Sequence, residues 1–213
     1  MCGIVGFSSR TEEIEISDVV QMIKSLDYRG YDSWGLSSIN NSKLQTQKFV
    51  GKINTEGHIG QSKTIIGHTR WATHGNVTKD NSHPHSSNDG KIALVHNGII
   101  ENHNELRKKL KVAGFKFYSQ TDTEIIPNLI QFHLEKTNNI RKAFQNTLKE
   151  LKGTYAIAFI HQDINNIFFA RRDSPLVIGV MENAYIVSSD VTSFIEKTKK
   201  VIYLEDGDYG IIN

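Results

Sequence analysis

The sequence predicts an α+β fold built on antiparallel sheets, and three observations carry that prediction. Strand-like stretches of alternating or continuously apolar residues fall early and late in the chain, at residues 3–8, 35–39, 43–50, 64–69, 91–96, 154–161, 166–170, 177–181, 184–188, 201–204 and 208–212. Between them lies a helical block, at 99–112, 124–136 and 140–151, with shorter helical patterns at 16–26 and 191–197. Successive strands follow one another at hairpin spacing, which argues for antiparallel pairing, and the central helices need a sheet face to cover.

The first strand, at 3–8, carries Ile4, Val5 and Phe7, and Ser17 is placed to cap the helix that follows. After the strands to residue 96, the helix at 99–112 meets Gly114 just past Ala113, an expected C-terminal stop. Pro127 falls in or just after the first turn of the next helix if Thr123 is its N-cap, so at most one intrahelical bond is lost there. The helix at 140–151 precedes the late strands, and Ser189 or Asp190 caps the pattern at 191–197. No repeat, low-complexity tract or linker interrupts the 213 residues, which read as a single domain, 1–213.

Composition narrows the function classes. With 38% hydrophobic and 23% charged residues, a packed core is expected. Net charge is +2, and the basic runs at 107–111 and 197–200 read as solvated helix faces or ends, so no nucleic-acid partner is expected. A single cysteine permits no internal disulfide, and no apolar run approaches a membrane span, so a cytoplasmic protein without a membrane partner is expected.

That one cysteine is Cys2, in MCGIVGF. It could be no more than the first residue of a buried strand. Its position suggests chemistry instead. A small residue after the initiator methionine leaves Met1 open to removal, which places a thiol and a free α-amine in one residue. An α-amine has an unperturbed pKa of about 7.7 to 8.0 and can serve as the nucleophile's own base.

Polar residues concentrate in loops between the elements. GHTRWATHG, at 67–75, leaves a strand carrying Arg70, suited either to a carboxylate or to a surface ion pair, and Trp71, either a small satellite core or a lid. HNG, at 96–98, reads either as a tight turn or, at a helix start, as an oxyanion receptor made of the Asn97 amide and the Gly98 N–H. SQTDTE, at 119–124, holds Asp122, which could cap a helix or accept a substrate ammonium. One guanidinium, one carboxylate and two oxyanion donors together complement a zwitterionic amino acid with a side-chain carbonyl. L-Glutamine fits: Arg70 on its α-carboxylate, Asp122 on its α-ammonium, Cys2 attacking the δ-carbonyl, Asn97 and Gly98 on the oxyanion.

MCGIVGF, YRGYDS, HTRWATHG, HPH, HNGIIEN and TDTE, in this order and in register along essentially the whole chain, resemble the glutaminase domains of glucosamine-6-phosphate synthases. These are class II glutamine amidotransferases with the N-terminal nucleophile hydrolase fold. The resemblance implies a four-layer αββα sandwich of two antiparallel sheets, Cys2 as nucleophile, and Asn97 with Gly98 as the oxyanion hole. It implies glutamine binding by Arg70, Thr73, His74 and Asp122, a Trp71 loop that closes over glutamine and gates ammonia, and Arg29 supporting the floor of the site. It implies no cofactor. It further implies a sugar-phosphate isomerase and synthase domain that takes the ammonia to fructose 6-phosphate, and a homodimer formed through domains beyond residue 213.

One residue departs from the pattern: Trp34 follows YDS where a small residue is expected. His68, His74, His83, His85 and His96 cluster in one third of the chain, but no cysteine partner or HExxH spacing accompanies them and no metal site is expected. Their expected role is hydrogen bonding that fixes loops, for His83 including the lid loop. Two other readings stay open, the glutaminase domain of another class II amidotransferase and a non-catalytic glutamine-binding or docking module.

Overall fold

The structure is a computed structural model that describes residues 2–72 and 76–213. The first half runs β1 (Gly3–Ser9), β2 (Ile14–Glu15), α1 (Ile16–Lys24), β3 (Ser33–Asn40), β4 (Lys43–Val50), β5 (Gln61–Ser62), β6 (Thr64–Arg70), β7 (His85–Ser86) and β8 (Ile92–Ile100). The second runs α2 (His103–Val112), α3 (Ile125–Thr137), α4 (Ile140–Glu150), β9 (Gly153–His161), β10 (Ile164–Arg172), β11 (Val177–Val180), β12 (Ala184–Ser188), β13 (Val201–Tyr203) and β14 (Tyr209–Ile212).

Two antiparallel sheets dominate, one ordered β13-β11-β12-β1-β6-β3-β4 and the other β14-β10-β9-β8-β7. Alternation along the strands sorts side chains into three buried layers. Ile4 of β1 and Ala93 and Val95 of β8 face the gap between the sheets, with Ile66, Ala156, Ala158 and Val187. Val5 and Phe7 turn the other way, onto Val19, Val20 and Ile23 of α1. Ile92 and Leu94 turn outward onto α2, α3 and α4, packing with Leu106, Leu110, Leu129 and Phe144. The order is therefore α, β, β, α, the four-layer sandwich that the resemblance implied.

The cores explain most of the helix ends. Gly114, at φ 93°, ends α2: its N–H bonds to Lys111 O and Phe115 N–H to Leu110 O, while Phe115 packs with Leu110 in the outer core. Asn139 caps α4 by accepting from Lys142 N–H at 3.0 Å. Pro127 is the third residue of α3, where a backbone N–H would have no helical partner, so no bond is lost.

Four local expectations are corrected. Ser17 does not cap α1, because Glu15 pairs with Gln61 and Ile16 N–H bonds Gly60 O, starting the helix earlier. Thr123 does not cap α3; its hydroxyl meets His83 Nε2 at 3.1 Å and His96 Nδ1 at 2.9 Å, and Glu124 occupies the N-cap position. Residues 191–197 form only a 3-10 turn, Val191–Ser193, capped by Asp190. Phe194 breaks it at φ −139°, and its ring lies buried in the core beside α1. Finally, HNG lies neither in a tight turn nor at a helix start: β8 runs through it to Ile100, pairing Asn97 with Ala156 and Gly98 with Tyr155, and α2 begins only at His103.

Trp34, the departure from the family pattern, is 1% exposed, stacked on Phe49 at 4.3 Å and edge-on to His58 at 5.3 Å. The chain fills that position with core rather than with a site residue. Among the described residues no helix is long and apolar enough to cross a membrane.

Candidate active site

Cys2 precedes β1, which is held in the middle of its sheet by β6 and β12. The main chain of Cys2 is gripped from two sides: Arg29 Nε donates to its carbonyl at 3.0 Å and Asn97 Nδ2 donates to the same oxygen at 2.9 Å. Arg29 is buried and faces Asp190 Oδ2 at 3.6 Å. A terminal residue, which would ordinarily fray, is thus tied to both sheets.

The sulfur meets the main chain of Trp71: Trp71 N–H points at Sγ at 3.3 Å, and Sγ lies 3.8 Å from Trp71 O. Burial pushes the Cys2 thiol pKa up, opposed by the Trp71 N–H and by the charges of Arg70 and Arg29. Among the described residues Sγ hydrogen-bonds to no carboxylate or imidazole.

Trp71 is brought to the sulfur by two neighbouring pieces of chain. The segment carrying YRGYDS passes so close that a Cβ on Gly30 would lie 2.6 Å from both Arg70 C and Trp71 N. Only glycine fits there, for reasons of space. Asp32 then fixes the loop, its N–H bonding Arg70 O at 3.0 Å and its Oδ2 accepting from Ala72 N–H at 2.8 Å. Trp71 is 45% exposed, and its ring leans on Tyr31 at 5.7 Å.

A cavity of about 180 Å³ opens beside the sulfur, and Cys2, Arg70, Trp71, His83 and Asp122 all line it, together with Ile99, His103, Gln120, Thr121 and Thr123. Arg70, at the end of β6, is buried; burial draws its pKa down while the charges of Cys2, Asp32 and Asp122 act against that. Its Nη1 also donates to Asn76 O at 3.3 Å. Asp122 uses Oδ2 to accept Ile100 N–H at 2.7 Å, so one carboxylate oxygen ties the end of β8 to the start of α3. A larger hollow of about 540 Å³, between α1 and the Val191–Ser193 turn, contains neither the thiol nor an arginine.

Of the residues singled out in the sequence, Cys2, Arg70, Trp71, His83 and Asp122 line this cavity, whereas Arg29 and Asn97 do not line it and are joined to it through the Cys2 carbonyl that both hydrogen-bond. Gly98 follows Asn97 in β8 at φ 129°, where a Cβ would overlap the Thr154 carbonyl oxygen, so glycine is required there by both conformation and space. Thr73 and His74 lie outside the described residues. Sequence reasoning missed Asp32, whose signal was its place in the YRGYDS motif already noted for Arg29. It also missed the cavity wall formed by Ile99, His103, Gln120, Thr121 and Thr123. The position of Ile99 and His103 just after the Asn97–Gly98 pair, and of Gln120, Thr121 and Thr123 around Asp122, was the available signal.

His68, His83, His85 and His96 are all buried, and burial pushes each pKa down, that of His68 to about 3. They are neutral hydrogen-bonding groups at neutral pH. No cluster of three or more metal-ligating side chains occurs among the described residues.

Comparison with known proteins follows the same lines. Residues 68–196 match the glutamine amidotransferase domain family. A glutamine–fructose-6-phosphate aminotransferase (isomerizing) from Sulfolobus acidocaldarius is 44% identical over 220 residues, covering 100% of this chain and 37% of that protein. The protein of that name from Acinetobacter baylyi is 43% identical, covering 98% of this chain and 34% of the relative. Among solved structures, a glutamine phosphoribosylpyrophosphate amidotransferase from B. subtilis superposes over 100% of this chain and 47% of its own, with a TM-score of 0.81 at 29% identity. The fold is thus that of the N-terminal nucleophile hydrolase amidotransferases, and the chain spans little more than a third of the length of the curated relatives it matches.

Proposed function

The chain belongs to the glutamine amidotransferase domain family, and from that premise we propose that it hydrolyses the side-chain amide of L-glutamine through a thioester on Cys2. The observation that carries this reading is the single cavity wall that holds a sulfur, a guanidinium and a carboxylate, at Cys2, Arg70 and Asp122. Arg70 takes the substrate α-carboxylate and Asp122, with the oxygen not used by Ile100, takes the α-ammonium. Thr73 and His74 complete the binding set by family resemblance.

The base follows from the thiol's surroundings. Because Sγ meets neither histidine nor carboxylate among the described residues, its proton goes to the α-amine of the same residue once Met1 is removed. The thiolate attacks the δ-carbon. The oxyanion is received by Asn97 Nδ2, which has a second hydrogen beyond the one given to Cys2 O, and by the Gly98 N–H. The ammonium of Cys2 returns the proton to the leaving nitrogen and ammonia departs. Water then attacks the thioester, with the amine again as base, and releases glutamate.

The names of the curated relatives support fructose 6-phosphate as the amino acceptor, reached through a synthase domain, with glucosamine 6-phosphate as product. Identities of 40–44% to those relatives, against 28–29% to the purine-pathway structures, favour that acceptor over a phosphoribosyl one. Dimerisation through that further portion and a cytoplasmic location belong to the same proposal.

The test is release of glutamate and ammonia from L-glutamine by the purified, demethionylated chain, with L-asparagine as control. Glutamine-specific release that Cys2→Ala abolishes supports the reading. Binding of glutamine without turnover would assign a binding module instead.

A further inference from the structure

Behind the oxyanion amide stands His68, a residue of β6 to which the reaction as written gives no task. Its Nε2 lies 2.9 Å from Asn97 Oδ1 and 3.2 Å from the His96 carbonyl oxygen. Its ring stacks on His83 at 4.0 Å between centroids and is fully buried. Among the described residues, His68 Nδ1 is buried without a hydrogen-bond partner.

The proton can be placed from these partners alone. A peptide carbonyl only accepts, so the His96 oxygen requires the hydrogen on Nε2. The bare nitrogen is then Nδ1, which has no partner among the described residues. A second hydrogen at Nδ1 would be stranded there, and burial accordingly draws the His68 pKa to about 3.

This tautomer decides how the Asn97 amide sits. With Nε2–H facing it, Asn97 turns Oδ1 toward His68 and Nδ2 toward the Cys2 carbonyl, where it donates at 2.9 Å. Rotating the amide by half a turn would oppose an NH₂ to Nε2–H and a carbonyl oxygen to Cys2 O. Both contacts would be repulsive.

We propose that His68 is a positioning residue for the hydrolysis, locking the Asn97 carboxamide by an Nε2–H···Oδ1 bond so that Nδ2 always faces the reacting carbon. The inference rests on the reading of Asn97 as an oxyanion donor. It also explains why one strand carries both His68 and Arg70: β6 lies in one sheet and β8 in the other, and the His68–Asn97 bond fixes the oxyanion group of the second sheet against the substrate arginine of the first.

The experiment measures kcat and KM for glutamine in demethionylated His68→Leu, His68→Gln, Asn97→Ala and the double variant H68L/N97A. Loss of an oxyanion donor typically costs about 10²- to 10³-fold in kcat, and loss of its orientation should cost ~10- to 100-fold, with KM changed only a few-fold. His68→Gln, whose amide can present a donor near the Nε2 position, should recover most of the rate. The double variant should be no slower than Asn97→Ala, since His68 acts only through that amide.

A His68→Leu chain with wild-type kcat, or losses that multiply in the double variant, would overturn the inference while leaving Asn97 in its role. Wild-type kcat in Asn97→Ala would instead overturn the oxyanion reading and the inference with it. Should His68→Leu not fold, nitrogen-15 correlation spectra of the wild-type ring decide: the Nε2–H tautomer across neutral pH supports the lock, and an Nδ1–H tautomer overturns it.

Discussion

Acid should destabilise this protein well before its carboxylates titrate. His68 has a folded pKa of about 3, against about 6.5 for a histidine in an unfolded chain. Between those values the unfolded chain binds a proton that the folded chain refuses. Stability is therefore greatest above about pH 6.5 and falls as the pH drops toward 3, at 1.36 kcal/mol per unit for each such group. From pH 6.5 to pH 5, His68 alone accounts for about 2 kcal/mol. His83, His85 and His96 are shifted in the same direction by the same burial, so each steepens the slope until its own folded pKa is reached.

Against a total stability of about 5–15 kcal/mol, an effect of this size decides whether the fold persists. Urea unfolding between about pH 7.5 and about pH 5 measures it, because ordinary carboxylates titrate mostly below that window. The expected result is a loss of at least about 2 kcal/mol, with a slope one proton shallower in His68→Gln. A flat profile, or an unchanged slope in that variant, would refute the assignment of these rings as buried and neutral.

Gly98→Ala should cost several kcal/mol in a thermal melt and remove glutaminase activity, since φ 129° and the overlap with Thr154 O leave no room for a methyl group. Trp34→Ala should destabilise the chain by about 3–5 kcal/mol in denaturant while leaving KM for glutamine near wild type, because its ring fills core and does not line the cavity. Asp122→Asn can keep the Ile100 N–H bond through its amide oxygen but loses the charge, so kcat/KM for glutamine should fall on the order of 10²-fold with stability little changed.

Local sequence carried the regular parts of the fold. The Gly114 stop acts through hydrogen bonds within a few residues, and apolar alternation in β1 and β8 sorts side chains between layers whatever the distant partners are. What could not be read locally was set by distant chain. Asn-Gly suggests a turn, but pairing with β9 extends β8 through it, and the glycine answers a close approach by Thr154 rather than a reversal. Phe194 leaves its helix to fill a core made mostly of residues far away in the sequence.

The candidate site divides in the same way. Cys2, Arg70 and Asp122 were legible because a thiol beside an α-amine, a guanidinium and a carboxylate declare their chemistry by type. His68 and Asp32 stood inside quoted motifs, yet their partners, Asn97 and Ala72, are fixed only by the packing of one sheet or loop on another.

The central claim is that the thiol and its base belong to one residue. Intact mass and glutaminase turnover, measured on one preparation processed to an N-terminal Cys2 and another retaining Met1, test it most directly. The account predicts that the processed chain turns over glutamine and that the retained methionine lowers kcat by at least about 10², the scale of lost general-base catalysis. Full turnover by the chain that still carries Met1 would contradict it.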